Sequence, residues 1–155
     1  MKAIYPGGSS SPVLTAAEAM DLPYSFEAMA AAGSMLGSGS VIVADDQVSI
    51  PLMALRTARF YHHESCGKCT PCREGTYWMR QLLEDLEAGQ GSEDDLAKLL
   101  DINDNMVGRV FCALGDTAGN PVVSTIKYFR DEYIEHQKRG GCPFDPAAST
   151  LFGSR

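Results

Sequence analysis

Two hydrophobic rhythms divide the chain. Up to about residue 46 the apolar positions come in short runs broken by Gly, Ser and Pro. Residues 2–5 read as a strand closed by the turn Pro6-Gly7-Gly8. Val13-Leu14 opens a second strand, and Ser40-Val41-Ile42-Val43-Ala44 is the strongest, ended by Asp45-Asp46. Residues 25–32 read as a short helix stopped by Gly33. From Ser49 the spacing becomes helical. A first helix is expected over residues 50–63, capped by Ser49, with Pro51 in its first turn. A second begins at Pro71 with Thr70 as its cap, carries Leu82, Leu83 and Leu86 on one face, and ends at Gly89-Gln90-Gly91. A third is announced by Ser92 and Asp95 and presents Leu96, Leu99 and Leu100. A fourth, over residues 121–138, carries Val122, Val123, Ile126, Phe129 and Tyr133, and Gly140-Gly141 stops it.

Four amphipathic helices on short links can bury their apolar stripes only against one another, so a four-helix bundle is the expected solution. The expected class is α+β: a small module at residues 1–47, a helical domain at 48–145 and a loose tail at 146–155. No internal repeat is visible.

Composition narrows the function classes. The 155 residues are 45% hydrophobic and 21% charged, which is a globular and not a disordered composition. The net charge of −7 comes without a basic patch, which argues against nucleic acid. No apolar run approaches the roughly 20 residues of a membrane span, so direct membrane insertion is not expected. The first residues lack the charged and apolar regions of a signal peptide. Five cysteines, three of them within seven residues, do not form a disulfide framework; without a secretory signal such spacing points to metal or redox chemistry in a reducing compartment.

Cys66, Cys69 and Cys72 form C-x2-C-x2-C. Three thiolates so spaced on a tight loop can cap three corners of one [4Fe–4S] cube, with the fourth ligand arriving from elsewhere in the fold. Gly67 lets the backbone turn closely, and the helix beginning at Pro71 directs its positive end towards the same place. Lys68 and Arg73 add positive charge. Together these terms favour the reduced state and predict a raised reduction potential. Zinc is the rival, although four-cysteine zinc sites commonly use two separated CxxC pairs. Two residues compete as fourth ligand. Cys112 lies in the apolar segment Val110-Phe111-Cys112-Ala113-Leu114, which can bury a cluster, and this favours it. Cys142 precedes a proline, as cysteines in bacterial ferredoxin runs do.

Other residues have blander readings. His62 and His63 sit where a helix end and solvent would engage them. Glu84, Asp85, Glu87, Glu93, Asp94 and Asp95 read as a solvated acidic face. Tyr77 and Trp78 can shield the metal site or simply pack in the core. Met29, Met35 and Met53 read as gap-fillers. Gly37-Ser38-Gly39 is a turn before a strand and lacks what a nucleotide loop needs. No hydrolytic constellation stands out.

The stretch Glu64-Ser-Cys-Gly-Lys-Cys-Thr-Pro-Cys-Arg-Glu-Gly75, followed by Phe111-Cys-Ala-Leu-Gly-Asp116, resembles the C-terminal part of the NADH-binding flavoprotein subunits of respiratory complex I, the NADH:quinone oxidoreductases. Pro6-Gly-Gly-Ser-Ser10 and Ala32-Gly-Ser-Met-Leu-Gly-Ser-Gly-Ser-Val-Ile-Val43 resemble the small ubiquitin-like (SLBB, β-grasp) module of the same subunits. The likeness runs over roughly residues 2–145. It implies a [4Fe–4S] cluster on Cys66, Cys69, Cys72 and Cys112, and leaves Cys142 as an ordinary thiol. It also implies that the cluster takes electrons from FMN reduced by NADH and passes them along further clusters towards quinone. The implied partners are an FMN/NADH-binding domain and the other peripheral-arm subunits, a thioredoxin-like 2Fe–2S subunit and a large iron–sulfur subunit. The implied location is cytoplasmic and peripheral to the inner membrane, or on the matrix side in mitochondria. Family members carry the FMN- and NADH-binding domain ahead of this region. The chain therefore reads as a fragment, a truncated gene or a split subunit, with no FMN or NAD site of its own. Related flavoprotein subunits of NAD-linked hydrogenases and formate dehydrogenases share the motif, so the parent complex stays open.

Overall fold

The structure is a computed structural model that describes residues 1–144. It is α+β and mostly helical. Three short strands, β1 (Ala3–Tyr5), β2 (Leu14–Thr15) and β3 (Ile42–Ala44), form an antiparallel sheet in the order β2-β1-β3. Two short helices lie between β2 and β3: α1 (Ala16–Ala19) and α2 (Phe26–Ala31). Then come α3 (Ile50–Glu64), α4 (Thr70–Glu87), α5 (Glu93–Met106), the single turn-and-a-half α6 (Ala113–Thr117) and the long α7 (Asn120–Arg139). The expected tail, with residue 145 of the expected helical domain, lies outside the described residues.

The helix starts follow local chemistry. Ser49 Oγ accepts the Leu52 amide at 3.2 Å, and Pro51 sits where its missing N–H costs nothing. Ser92 and Asp95 close a capping box at the head of α5, the Ser92 amide donating to Asp95 at 2.8 Å. Burial alone would push the Asp95 carboxyl up. The hydrogen bonds from Lys98 and Ser92 outweigh it and hold that carboxyl below its ordinary range. Gly140 ends α7 in the left-handed region, at φ 67°.

The four long helices share one core, with Leu52, Leu55, Met79, Leu83, Leu86, Leu96, Leu99, Met106, Val122, Ile126 and Tyr133 all buried in it. A fully buried side chain of this size contributes about 1.5–3 kcal/mol, so the helical layer carries most of the burial. A second, smaller core lies under the sheet. Ala3, Tyr5, Val13 and Ala44 meet Ile50 and Met53 from the start of α3, and Tyr128 and Phe129 of α7 pack on it at the kink where Phe129 leaves helical geometry. Apolar packing thus crosses the expected boundary at residues 47–48. Lys2 ties the layers together: its ammonium lies 2.5 Å from Glu132 of α7 and donates to the Val48 carbonyl at 2.7 Å. The Ile50 amide donates to the other Glu132 oxygen at 3.1 Å.

Sequence expectation and structure differ at three points. Thr70 is the first helical residue of α4, and Cys69 occupies the cap position, without a side-chain cap bond. Helices α1 and α6 are not among the expected elements; at four and five residues they are too short to show a period, and only the Thr15–Glu18 capping box marks α1. Glu87, expected on a solvated acidic face, is largely buried against His136. Of the methionines, Met29 and Met53 are buried and Met35 is half-buried.

Candidate metal centre

Helices α3 and α4 run antiparallel, and the loop between them carries the C-x2-C-x2-C motif. Gly67, at φ 75°, turns this loop where a side chain would be strained. Cys72 lies in the first turn of α4 and is buried. Cys69 is its cap and half-buried, and Cys66 is exposed. Cys112 arrives from the far side, at the cap position of α6. It reaches the same place because Met106, the last residue of α5, is packed into α4 beside Gly75, and the chain from Val107 to Phe111 then returns across the end of α4. Gly115 lets α6 lie against Val110: a Cβ there would come 2.9 Å from Val110 Cγ2.

All four cysteines line one cavity of about 110 Å³, with Glu64, Ser65, Lys68, Val110, Leu114 and Gly115 as the remaining wall. The Phe111 amide donates to Cys69 Sγ at 3.4 Å, and the Ser65 hydroxyl lies 3.4 Å from Cys72 Sγ. Two helix starts, those of α4 and α6, border the cavity through Cys69 and Cys112. The long helix brings the positive end of its dipole to where thiolate charge would gather. Arg73 sits just inside α4, its guanidinium donating to the Gly67 carbonyl at 2.8 Å and to Glu74 at 2.8 Å.

The donor set fits an iron–sulfur cube better than a single ion. Around one zinc, thiolates at about 2.3 Å stand under 4 Å from each other. Among the described residues, the group of three or more ligand-type side chains whose ligand atoms all lie within 4.8 Å of one another is Glu87, His136 and Cys142, not the cysteine quartet. The quartet is more open, as four corners of a cube require.

Cys142 lies apart from the cavity and with other partners, so of the two candidates for fourth ligand only Cys112 shares it. Cys112 itself is exposed, and of its expected apolar neighbours Phe111 is 88% exposed and outside the cavity wall. Val110 and Leu114 of the same segment supply the apolar lining, with Val110 packed against Gly115 of α6. Tyr77 and Trp78 do not line the cavity. Trp78 borders a separate groove with Leu82, Lys98 and Ile102, and Tyr77 packs on His62 at 5.5 Å between ring centroids. His63 is exposed beside Glu64. Gly37 and Gly39 form a positive-φ turn ahead of β3. Sequence reasoning misses the Glu87–His136–Cys142 group: Glu87 stands far in the chain from His136 and Cys142, and that later pair matches no ligand spacing. The only local signal is a cysteine just after a helix-stopping glycine pair.

The sequence model of the family described as "NADH-ubiquinone oxidoreductase-F iron-sulfur binding region" matches residues 52–136. The F subunit of the NADH-quinone oxidoreductase of Mycobacterium tuberculosis is 54% identical over 146 residues, which is 94% of this chain and 33% of the relative. That of Streptomyces coelicolor is 55% identical over 150 residues, 97% of this chain and 33% of the relative. The chain thus spans about a third of the length of these curated relatives. Among solved structures, an NAD+-reducing [NiFe]-hydrogenase in its H2-reduced state superposes with a TM-score of 0.76 at 32% identity, over 93% of this chain and 24% of that one.

Proposed function

This chain belongs to the NADH-ubiquinone oxidoreductase-F iron-sulfur binding region family, and from that premise we propose that it is the [4Fe–4S] electron-transfer region of an NADH:quinone oxidoreductase flavoprotein subunit, with Cys66, Cys69, Cys72 and Cys112 as ligands. One observation carries the reading: four thiols from two segments line a single cavity, spread more widely than one metal ion would hold them. A cluster of this class supplies reversible one-electron transfer. The residues of this chain hold it and set its environment. The Phe111 amide and the Ser65 hydroxyl direct hydrogen-bond donors at two of the sulfurs. Lys68 and the start of α4 offset thiolate charge, and Val110 and Leu114 limit water on the inner side.

In the same reading, residues 1–47 form an SLBB (β-grasp) module and the four long helices a bundle that presents the cluster at one end. The electrons come from NADH through FMN bound by a domain outside this chain, and leave along further clusters towards quinone. The partners are then the FMN/NADH-binding domain and other peripheral-arm subunits. Among the described residues no helix is long and apolar enough to cross a membrane, which agrees with a place on the periphery of a membrane complex. The structural likeness to the hydrogenase favours a second reading, the same task in a NAD-linked hydrogenase. The higher identity to the quinone-linked relatives ranks it behind the first.

Anaerobic reconstitution tests the ligand set. Iron and sulfide should reach about four each per chain, with a broad visible band and an EPR signal after dithionite. Serine at 66, 69, 72 or 112 should remove most of that iron, and Cys142→Ser should leave it unchanged. A colourless protein with stoichiometric zinc at the quartet, or full iron in Cys112→Ser, would refute the assignment.

A further inference from the structure

At the opposite end of α3 and α4 from the cysteine cavity, a second group of ligand-type side chains converges. Glu87 is the last residue of α4, His136 lies in the last turn of α7, and Cys142 follows the left-handed Gly140. Their ligand atoms all lie within 4.8 Å of one another. His136 is fully buried, with Nε2 3.1 Å from Glu87 Oε2 and 3.3 Å from Ser49 Oγ; Ser49 Oγ is 3.4 Å from the same Glu87 oxygen. Nδ1 lies 2.6 Å from the Glu132 carbonyl, an oxygen that only accepts. Nδ1 therefore carries the hydrogen. In the neutral ring Nε2 presents its lone pair to a carboxylate, and something positive must stand between the two. A carbonyl holding Nδ1–H while Nε2 faces a ligand position is the usual outer support of a metal-binding histidine.

We propose that Glu87, His136 and Cys142 form a binding site for a single zinc-class divalent cation, with Ser49 Oγ or a water as fourth ligand. Tetrahedral ligands at about 2.0–2.3 Å stand about 3.3–3.8 Å apart; the three ligand atoms here lie within 4.8 Å of one another, close enough for small side-chain movements to bring them to that spacing. Charge agrees as well: carboxylate, thiolate and a divalent cation sum to zero in a partly buried site. Binding releases the Cys142 thiol proton to solvent. Lys2, a cation in the same region, is engaged by Glu132 at 2.5 Å. The backbone is built for the approach. Gly89, at φ 72°, lies so close to Gly140 and Gly141 that a Cβ there would strike their main chain, and this brings the segment bearing Cys142 against the end of α4. The ion would fasten the chain beyond α7 to the start of α3 and the end of α4. With α3 at 15 residues, the site lies about 20 Å from the cysteine cavity, and it does not depend on the iron–sulfur reading.

The test loads the reconstituted, iron-bearing chain with zinc chloride, desalts it, and counts zinc and iron in the same sample. One zinc per chain above the iron is expected, with a zinc-edge absorption spectrum showing one sulfur among nitrogen and oxygen neighbours. Cys142→Ser, a change at a half-exposed position, should lower zinc affinity at least tenfold without loss of iron; His136→Gln should do the same. If the buried His136 variant does not fold, the serine variant decides. No retained zinc, zinc undiminished in Cys142→Ser, or a four-sulfur zinc spectrum accompanied by iron loss would each overturn the proposal. The first of these outcomes leaves only a proton between Glu87 and His136.

Discussion

Lys68 and Arg73 carry the same formal charge beside the same cavity, but they are not equivalent. Arg73 shares its guanidinium with the Glu74 carboxylate at 2.8 Å, so much of its field is cancelled locally. Lys68 forms part of the cavity wall. A unit charge several ångströms from a site that gains an electron favours the reduced form, by an amount that depends on how much water screens it. Lys68→Ala should therefore lower the midpoint potential by about 30–100 mV at low salt. Arg73→Ala should shift it less, and added salt should shrink both shifts. An EPR-monitored redox titration measures this. A Lys68→Ala midpoint equal to wild type at low salt would show that α4 and the amide donors alone set the potential. The same scale shows what sequence could say about the site. Cys66, Cys69 and Cys72 are legible because their geometry is local, one loop of seven residues. Cys112 needs the Phe-Cys-Ala-Leu-Gly-Asp segment, since its place depends on where α5 ends. Glu87 misleads: its acidic neighbours imply solvent, whereas its partners His136 and Cys142 come from the other end of the helical region.

Among the elements, the contact between α4 and α5 is the one that delivers Cys112. A Cβ at Gly75 would collide with Met106 Sδ and lie 2.7 Å from its Cγ and 3.4 Å from Ile102 Cγ2. Replacing a mid-helix glycine by alanine gains up to about 1 kcal/mol of helix propensity. Overpacking a tight contact costs about 1–3 kcal/mol. Here Met106 is 1% exposed and packed in the helical core, so the steric cost should win. Gly75→Ala is expected to lower the urea midpoint with an unchanged slope, and to slow cluster assembly through the displaced α5 end. A raised midpoint would mean that Met106 repacks without cost. Element starts and stops are the most readable part of the sequence. Ser49, Ser92 and Gly140 act through bonds to their own neighbours, and α3, α5 and α7 begin or end there. What escapes is short or set by packing. Helix α6 holds few apolar residues in five, so no period marks it. The cap of α4 shifts from Thr70 to Cys69 because the residue ahead of Pro71 already adopts helical geometry.

On the scale of the whole molecule, the question is what this chain can do by itself. The curated relatives are about three times as long as the stretch they share with it, and are named as F subunits of NADH-quinone oxidoreductases. A dinucleotide site of the usual kind needs a glycine loop that opens a helix, so that backbone amides and the helix dipole face the pyrophosphate. Gly37 and Gly39, at φ 51° and 74°, turn instead into β3, and the strand that follows is three residues long. The cysteine cavity, by contrast, opens at exposed Cys66 and Cys112, so a small reductant can approach it from solvent. The reconstituted 155-residue polypeptide should therefore be reduced by dithionite and left oxidised by NADH. Adding the other two-thirds of a relative such as the Mycobacterium tuberculosis protein, the portion proposed to bear FMN, should make NADH effective. Stopped-flow absorbance in the visible band separates these outcomes. Bleaching by NADH alone would mean that this chain binds and oxidises the dinucleotide through a surface with none of the usual phosphate-binding geometry. The cluster would then have to be treated as a direct acceptor and not as a relay behind flavin.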